Sequence, residues 1–166
     1  MERKDTPDKI PALVGQALEW IRKMGLPCRY LKDDDWWEIL YKNVYVLIPN
    51  YVADDEIGFI TCALAKGQPD DEVCRMVYDF AMKTSEGELS DCEVDYIENG
   101  LCQVSQWWLL KGRQKLYKYR LKEKLDELLK RQWTLMIHLY MAYEALFNPP
   151  AEVLKEIFGE DSNDKA

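Results

Sequence analysis

Residues 36–48 read WWEILYKNVYVLI, two apolar, strand-like runs separated by Lys42-Asn43. Taking Lys42-Asn43 as a two-residue turn pairs Trp37 with Ile48, Ile39 with Val46 and Tyr41 with Val44, one continuous apolar face that belongs in a core. The opposite face carries Trp36, Leu40, Tyr45 and Leu47, with only Glu38 clearly polar. An antiparallel sheet with helices on one side normally leaves its other face wet. Two readings follow: a helix covers this second face, or it is an apolar surface used as an interface.

Outward from the hairpin, residues 28–31 and the turn at Asp33-Asp34-Asp35 add a preceding strand, so 28–48 reads as a three-strand meander. Beyond Pro49-Asn50 and the acidic corner Asp54-Asp55-Glu56, residues 57–65 form a further strand, apolar on both sides over 57–64 and closed by Lys66-Gly67-Gln68-Pro69. Ahead of the meander, Ile10, Leu13, Val14, Ala17, Leu18 and Ile21 recur at helical spacing, with Asp8 as cap and Gly25 as stop. Asp70-Asp71-Glu72 places negative charge at the start of a second helix, which continues through Val73, Met76, Val77, Phe80 and Ala81 to about Lys83.

After the polar segment 84–90, Cys92, Val94 and Tyr96 alternate with Asp91, Glu93 and Asp95, a strand with one wet, acidic face. Alternation resumes past Asn99-Gly100 with Cys102 and Val104 and runs toward Trp107 and Trp108, which makes a second hairpin. Matching apolar partners sets Tyr96 opposite Cys102 and Val94 opposite Val104, a register that a three-residue loop with Gly100 as left-handed bulge residue would produce. From Lys111-Gly112 a long helical pattern puts Leu121, Leu125, Leu128, Leu129, Gln132, Leu135, Met136, Leu139, Tyr143 and Leu146 on one broad face. Asn148-Pro149-Pro150 ends it, and residues 153–158 fit a short terminal helix.

This order predicts an α+β domain: a mostly antiparallel five- to six-stranded sheet, an N-terminal helix, a middle helix and a long C-terminal helix, α-β-β-β-α-β-β-α with the 57–65 run as a further strand. Residues 1–158 read as one domain and 159–166 as a disordered acidic tail. The length of 166 residues suits one domain, and a formal net charge of −8 argues against general attraction to nucleic acid or anionic membranes. The charged opening lacks the apolar core of a signal peptide and no apolar run is long enough to span a bilayer, so a cytoplasmic protein is expected.

No phosphate-binding glycine loop or zinc-hydrolase motif occurs, and no catalytic residue, metal or cofactor is expected. The five scattered cysteines read as small buried apolar side chains, His138 as a structural histidine, and the acidic clusters as turns and helix starts. Between Lys111 and Arg131, nine Lys and Arg stand against three Asp and Glu. This segment pairs with the chain's own acidic surface, meets an acidic protein partner, or binds nucleic acid. In the last case Lys111, Arg113, Lys115, Lys118 and Arg120 would hold phosphates, and Trp107 and Trp108 would stack on bases.

The opening helix, the 36–48 hairpin, the helix from Asp70 to Lys83, the hairpin from Asp91 to Trp108 and the long last helix resemble the type III secretion chaperone-like fold, including the YbjN-like family, over about residues 10–147. The resemblance implies a small acidic cytoplasmic protein, often a homodimer. In its chaperone branch an extended client segment is bound through apolar surface without nucleotide; the YbjN-like branch has no clear biochemical activity. The basic segment and the Asn148-Pro149-Pro150 tail depart from that pattern. The expectation is a non-enzymatic, chaperone-like or regulatory protein-binding domain, using Trp36, Leu40, Tyr45 and Leu47 to hold a client or a second copy. The alternatives are nucleic-acid binding through 107–131 and an enzyme with no recognisable motif.

Overall fold

Turn chemistry organises the sheet. In the computed structural model, which describes residues 6–64, 70–109 and 114–148 and, within these, no side chains for 109 and 114–119, Lys42 and Asn43 both take positive φ (49° and 64°). This is the type I′ geometry whose twist matches that of flanking strands. It joins β2 (Trp36–Tyr41) to β3 (Val44–Pro49) in the predicted register, Trp37 opposite Ile48, Ile39 opposite Val46 and Tyr41 opposite Val44. β1 (Cys28–Leu31) pairs with β2, and β4 (Glu56–Leu64), the further strand, pairs with β3 after a tight turn in which Asp54 and Asp55 have φ 51° and 63°.

β5 (Glu93–Glu98) and β6 (Leu101–Leu109) form the second hairpin. Tyr96 lies opposite Cys102 and Val94 opposite Val104, as predicted, but the loop achieves this differently. Asn99 and Gly100 (φ 47° and 82°) make a two-residue turn with Glu98 opposite Leu101, and the extra residue is Ile97, bulged between Tyr96 and Glu98. β6 then lies along β4, completing a six-stranded, all-antiparallel sheet in the order β1-β2-β3-β4-β6-β5.

Among the described residues three helices accompany this frame: α1 (Ala12–Lys23), α2 (Asp71–Thr84) and α3 (Gln114–Phe147). Asp8 does not cap α1; Pro11 occupies the N-cap, with no side-chain hydrogen bond there. Gly25 (φ 83°) ends the helix as expected, its N–H on the Arg22 carbonyl and that of Leu26 on the Ile21 carbonyl, a Schellman pair that requires the left-handed backbone glycine adopts freely. Asp70 caps α2, accepting from the Glu72 N–H at 2.9 Å. α3 is one 34-residue helix. Among the described residues no helix is long and apolar enough to cross a membrane. The proposed terminal helix at 153–158 and acidic tail at 159–166 lie outside the described residues.

All three helices bury their apolar sides against the same sheet face. Val14, Leu18 and Ile21 of α1, Val77 and Ala81 of α2, and Leu121, Leu125, Leu128, Leu135 and Leu139 of α3 share one core with Trp37, Ile39, Val46, Ile48, Ile57, Phe59, Cys102 and Val104. Met136 does not join them; it is 39% exposed. Buried Asn50 is matched: it accepts from the Trp37 indole N–H at 3.2 Å and donates to the Lys9 carbonyl and the Asp35 carboxylate. The Asn50 backbone N–H reaches the Asp35 carbonyl, so this one residue ties the N-terminal segment, the β1–β2 turn and β2 together.

Asp71, in the first turn of α2, does the same for the second hairpin. Its carboxylate accepts from the Tyr96 hydroxyl at 2.5 Å, the Asn99 N–H at 2.8 Å and the Arg75 guanidinium at 3.0 Å. These bonds, that from Tyr96 foremost, hold its pKa at about 2, below the ordinary 3.8. A carboxyl whose folded pKa is depressed stabilises the fold fully above its unfolded pKa and loses that contribution as pH falls through the folded one. Acid titration of wild type is therefore expected to show a stability loss between about pH 4 and about pH 2. Asp71→Asn should melt lower at neutral pH and show a shallower slope across that window. Equal slopes for the two proteins would contradict the role given to Asp71.

Candidate binding surface

Strand alternation fixes what the other sheet face carries. Since Trp37, Ile39 and Tyr41 point into the core, Trp36, Glu38 and Leu40 point away, and the register extends this outer face to Tyr45 and Leu47 on β3, Gly58, Ile60 and Cys62 on β4, and Gln103, Ser105 and Trp107 on β6. Leu40 lies opposite Tyr45, Leu47 opposite Ile60, and Gly58 opposite Trp107. The residues predicted for binding are thus brought together on one face, by cross-strand pairing on β2 and β3.

That face is open. Tyr45 is 59% and Leu40 40% exposed, with Trp36 and Leu47 half-buried, so none of the described helices covers them. The hairpin's outward carboxylate, Glu38, is neutralised from β1 by Arg29 at 2.8 Å. The centre of the face stays apolar while its margins are charged. At the far edge Glu93 and Asp95 of β5 point outward, fully wet as predicted, and neither is ion-paired among the described residues.

Glycine is what allows a further aromatic onto the surface. A Cβ at Gly58 would stand 3.2–3.3 Å from three carbons of the Trp107 indole, so any larger residue would push the ring aside by a few tenths of an ångström, whereas glycine lets it lie close across the strand. Trp107 in turn meets the Tyr51 ring at 5.5 Å, and Tyr51 is half exposed. Trp107 and Tyr51 extend the surface beyond the residues picked from sequence; Ile60, on the same face, is buried. The apolar-on-both-sides run 57–64 was a signal, but the β4–β6 pairing that places Trp107 over Gly58 joins residues 49 positions apart.

The nucleic-acid reading meets a different geometry. Trp107 and Trp108 project to opposite faces, and Trp108 is a core residue, 9% exposed, its ring 6.2 Å from Phe59. They do not form a joint stacking platform. Part of the basic segment pairs internally: Arg131 forks onto Asp91 at 2.7 and 2.5 Å, holding the Asp91 pKa down, and Lys124 reaches Glu127 while lying 5.9 Å from the Trp108 ring. Lys42 reaches Asp126 from the first hairpin at 2.7 Å. Arg120 is exposed. Lys115 and Lys118 belong to α3 where no side chains are described, and Lys111 and Arg113 lie outside the described residues.

His138 contacts Glu88 through Nε2 at 2.8 Å, bridging α3 to the segment before β5, a structural use. Cys74 and Cys102 are buried, and burial pushes the Cys102 thiol up to about 12; Cys28 and Cys92 are half-buried. Cys62, on the outer face, is exposed, against the expectation that the cysteines are buried. A cleft of about 760 Å³ beside β1 is lined by Arg22, Arg29, Tyr30 and Asp33, among others. Arg29 is engaged by Glu38 there, and Arg22 stacks on Trp37 at 5.9 Å.

No family model matches the chain, and no curated protein matches it. Among solved structures the chain is similar to an uncharacterized protein from Methanothermobacter thermautotrophicus, at a TM-score of 0.54 and 14% identity, over 78% of this chain and 97% of that one. At that identity the likeness is one of fold: the α+β arrangement is shared by a protein seen in a crystal.

If the outer face is open to water in the folded chain, Leu40→Ser and Tyr45→Ser will each change unfolding free energy by no more than about 0.5 kcal/mol. Ile39→Ala, one residue away on the buried face, will cost about 3 kcal/mol by the same denaturant titration. A comparable loss in all three would mean that both faces are core.

Proposed function

We propose that the protein is a non-enzymatic, chaperone-like binding domain that holds an apolar segment of a client protein on the outer face of its sheet. The observation carrying this is the apolar row of Trp36, Leu40, Tyr45 and Leu47, with Trp107 and Tyr51 beside it, on a face that the described helices leave uncovered. Glu93 and Asp95 at one margin favour a segment flanked by Lys or Arg. The topological resemblance to type III secretion chaperone-like proteins is in keeping with such a role, and a cytoplasmic location belongs to the same proposal.

The energetics suit a reversible grip. Covering on the order of 400 Å² of apolar surface is worth roughly 10 kcal/mol before association costs of at least about 4 kcal/mol. The net corresponds to a Kd of roughly tens of micromolar for a single segment.

Fluorescence anisotropy with a panel of labelled apolar peptides, with and without flanking lysines, tests this. Wild type is expected to bind the lysine-flanked apolar members, more weakly as salt rises. The Leu40→Ser/Tyr45→Ser double variant should lose roughly tenfold or more in affinity, about 1.4 kcal/mol. Binding that the double variant retains in full, or none by wild type across the panel, would overturn the assignment.

A further inference from the structure

α3 carries a second apolar surface that its core-facing pattern conceals. Trp133, Met136, Ile137, Tyr140 and Met141 are between 39% and 63% exposed, while Leu135, Leu139 and Ala142 on the same turns are buried. Positions 130, 133, 137, 140 and 144 advance by three and four residues alternately, the spacing of a seam between two helices packed side by side. Their occupants are Lys130, Trp133, Ile137, Tyr140 and Glu144, three large apolar residues bounded by a cation and an anion. Neither Lys130 nor Glu144 forms an ion pair among the described residues; the Glu144 carboxylate accepts only from the Asn148 side chain at 3.1 Å.

We propose that this seam docks a second copy of the chain, the two α3 helices running antiparallel about a twofold axis at Ile137. In that arrangement a residue a given number of positions before Ile137 faces the one equally far after it on the partner. Ile137 meets the partner's Ile137 and Lys130 meets the partner's Glu144, while Trp133 and Tyr140 lie opposite the partner's Met141 and the partner's Thr134 at the flank of the seam, each heterotypic contact occurring twice by symmetry. A parallel pair would set lysine against lysine and glutamate against glutamate, so charge selects the antiparallel one.

The five side chains expose on the order of 500 Å², and a pair would bury about 1,000 Å², the lower edge of a specific interface. The dimer is accordingly weak, in the micromolar range. The seam is built from α3 alone, so this inference does not rest on the client-binding proposal.

Sedimentation of the full chain over roughly 1–100 µM tests it. Wild type is expected to show a reversible monomer–dimer equilibrium, unchanged by Leu40→Ser/Tyr45→Ser. Ile137→Glu, which sets two carboxylates together on the axis, should weaken it by roughly a hundredfold. Lys130→Glu and Glu144→Lys should each weaken it by roughly tenfold, and the double reversal should restore it to within about threefold of wild type. The charge variants keep the test valid if Ile137→Glu fails to fold. A wild-type monomer throughout, a dimer indifferent to these changes, or a double reversal as weak as the single ones would overturn the proposal; in the last case a helix seam exists without this register.

Discussion

Successive side chains of a strand point to opposite sides, so helices that gather on one face of a sheet leave every second residue of its inner strands to whatever lies on the other. Here α1, α2 and α3 all gather on the Trp37–Ile39–Val46–Ile48 side. The residues between them in sequence, Trp36, Leu40, Tyr45 and Leu47, are then left without cover from the described helices, two of them exposed and two half-buried, and their apolar character becomes a property of the surface. Neither face can be changed by sliding a strand. A shift of β2 by one residue would bury Glu38 and expose Trp37, Ile39 and Tyr41, and the type I′ turn at Lys42-Asn43 holds the pairing against it.

Long-range polar contacts keep the helices where this division requires them. Asn50 joins the start of the chain to the first meander, Asp71 fastens α2 to the second hairpin, and Asp126 accepts from both the Tyr41 hydroxyl and Lys42, fastening α3 to the first. Arg131 and Asp91 clamp α3 to the start of the β5 hairpin. The charge asymmetry of the chain is thus used in part internally, with cations of the basic helix meeting acidic residues of neighbouring segments. Such exposed pairs add little stability singly, but they orient the helix.

Local chemistry was legible where it was decisive over a few residues. Lys42-Asn43 between two apolar runs yielded both strands and their register, and pairing like with like across Asn99-Gly100 yielded Tyr96 opposite Cys102. The bulge at Ile97 was not legible, because a two-residue turn plus a bulge and a three-residue loop give the same partners. Choices set by distant contacts were likewise hidden. The pattern gave no reason for Trp107 and Trp108 to serve opposite faces until β6 was placed beside β4, nor for Met136 to leave the core face of α3. Asp8 looked like a cap by type and position, but Pro11 starts the helix instead. Two readings of the outer face stood open in sequence because whether a helix covers a sheet is decided by crossovers, not by alternation.

The folded chain turns Leu40 and Tyr45, with part of Trp36, to water while Trp37, Ile39 and Tyr41 stay dry. Hydroxyl-radical footprinting read by mass spectrometry measures this residue by residue on one hairpin. Oxidation of Tyr45 well above that of Tyr41 is the result expected of a face left bare by its own helices. Equal protection of both tyrosines in the dilute, client-free protein would contradict it.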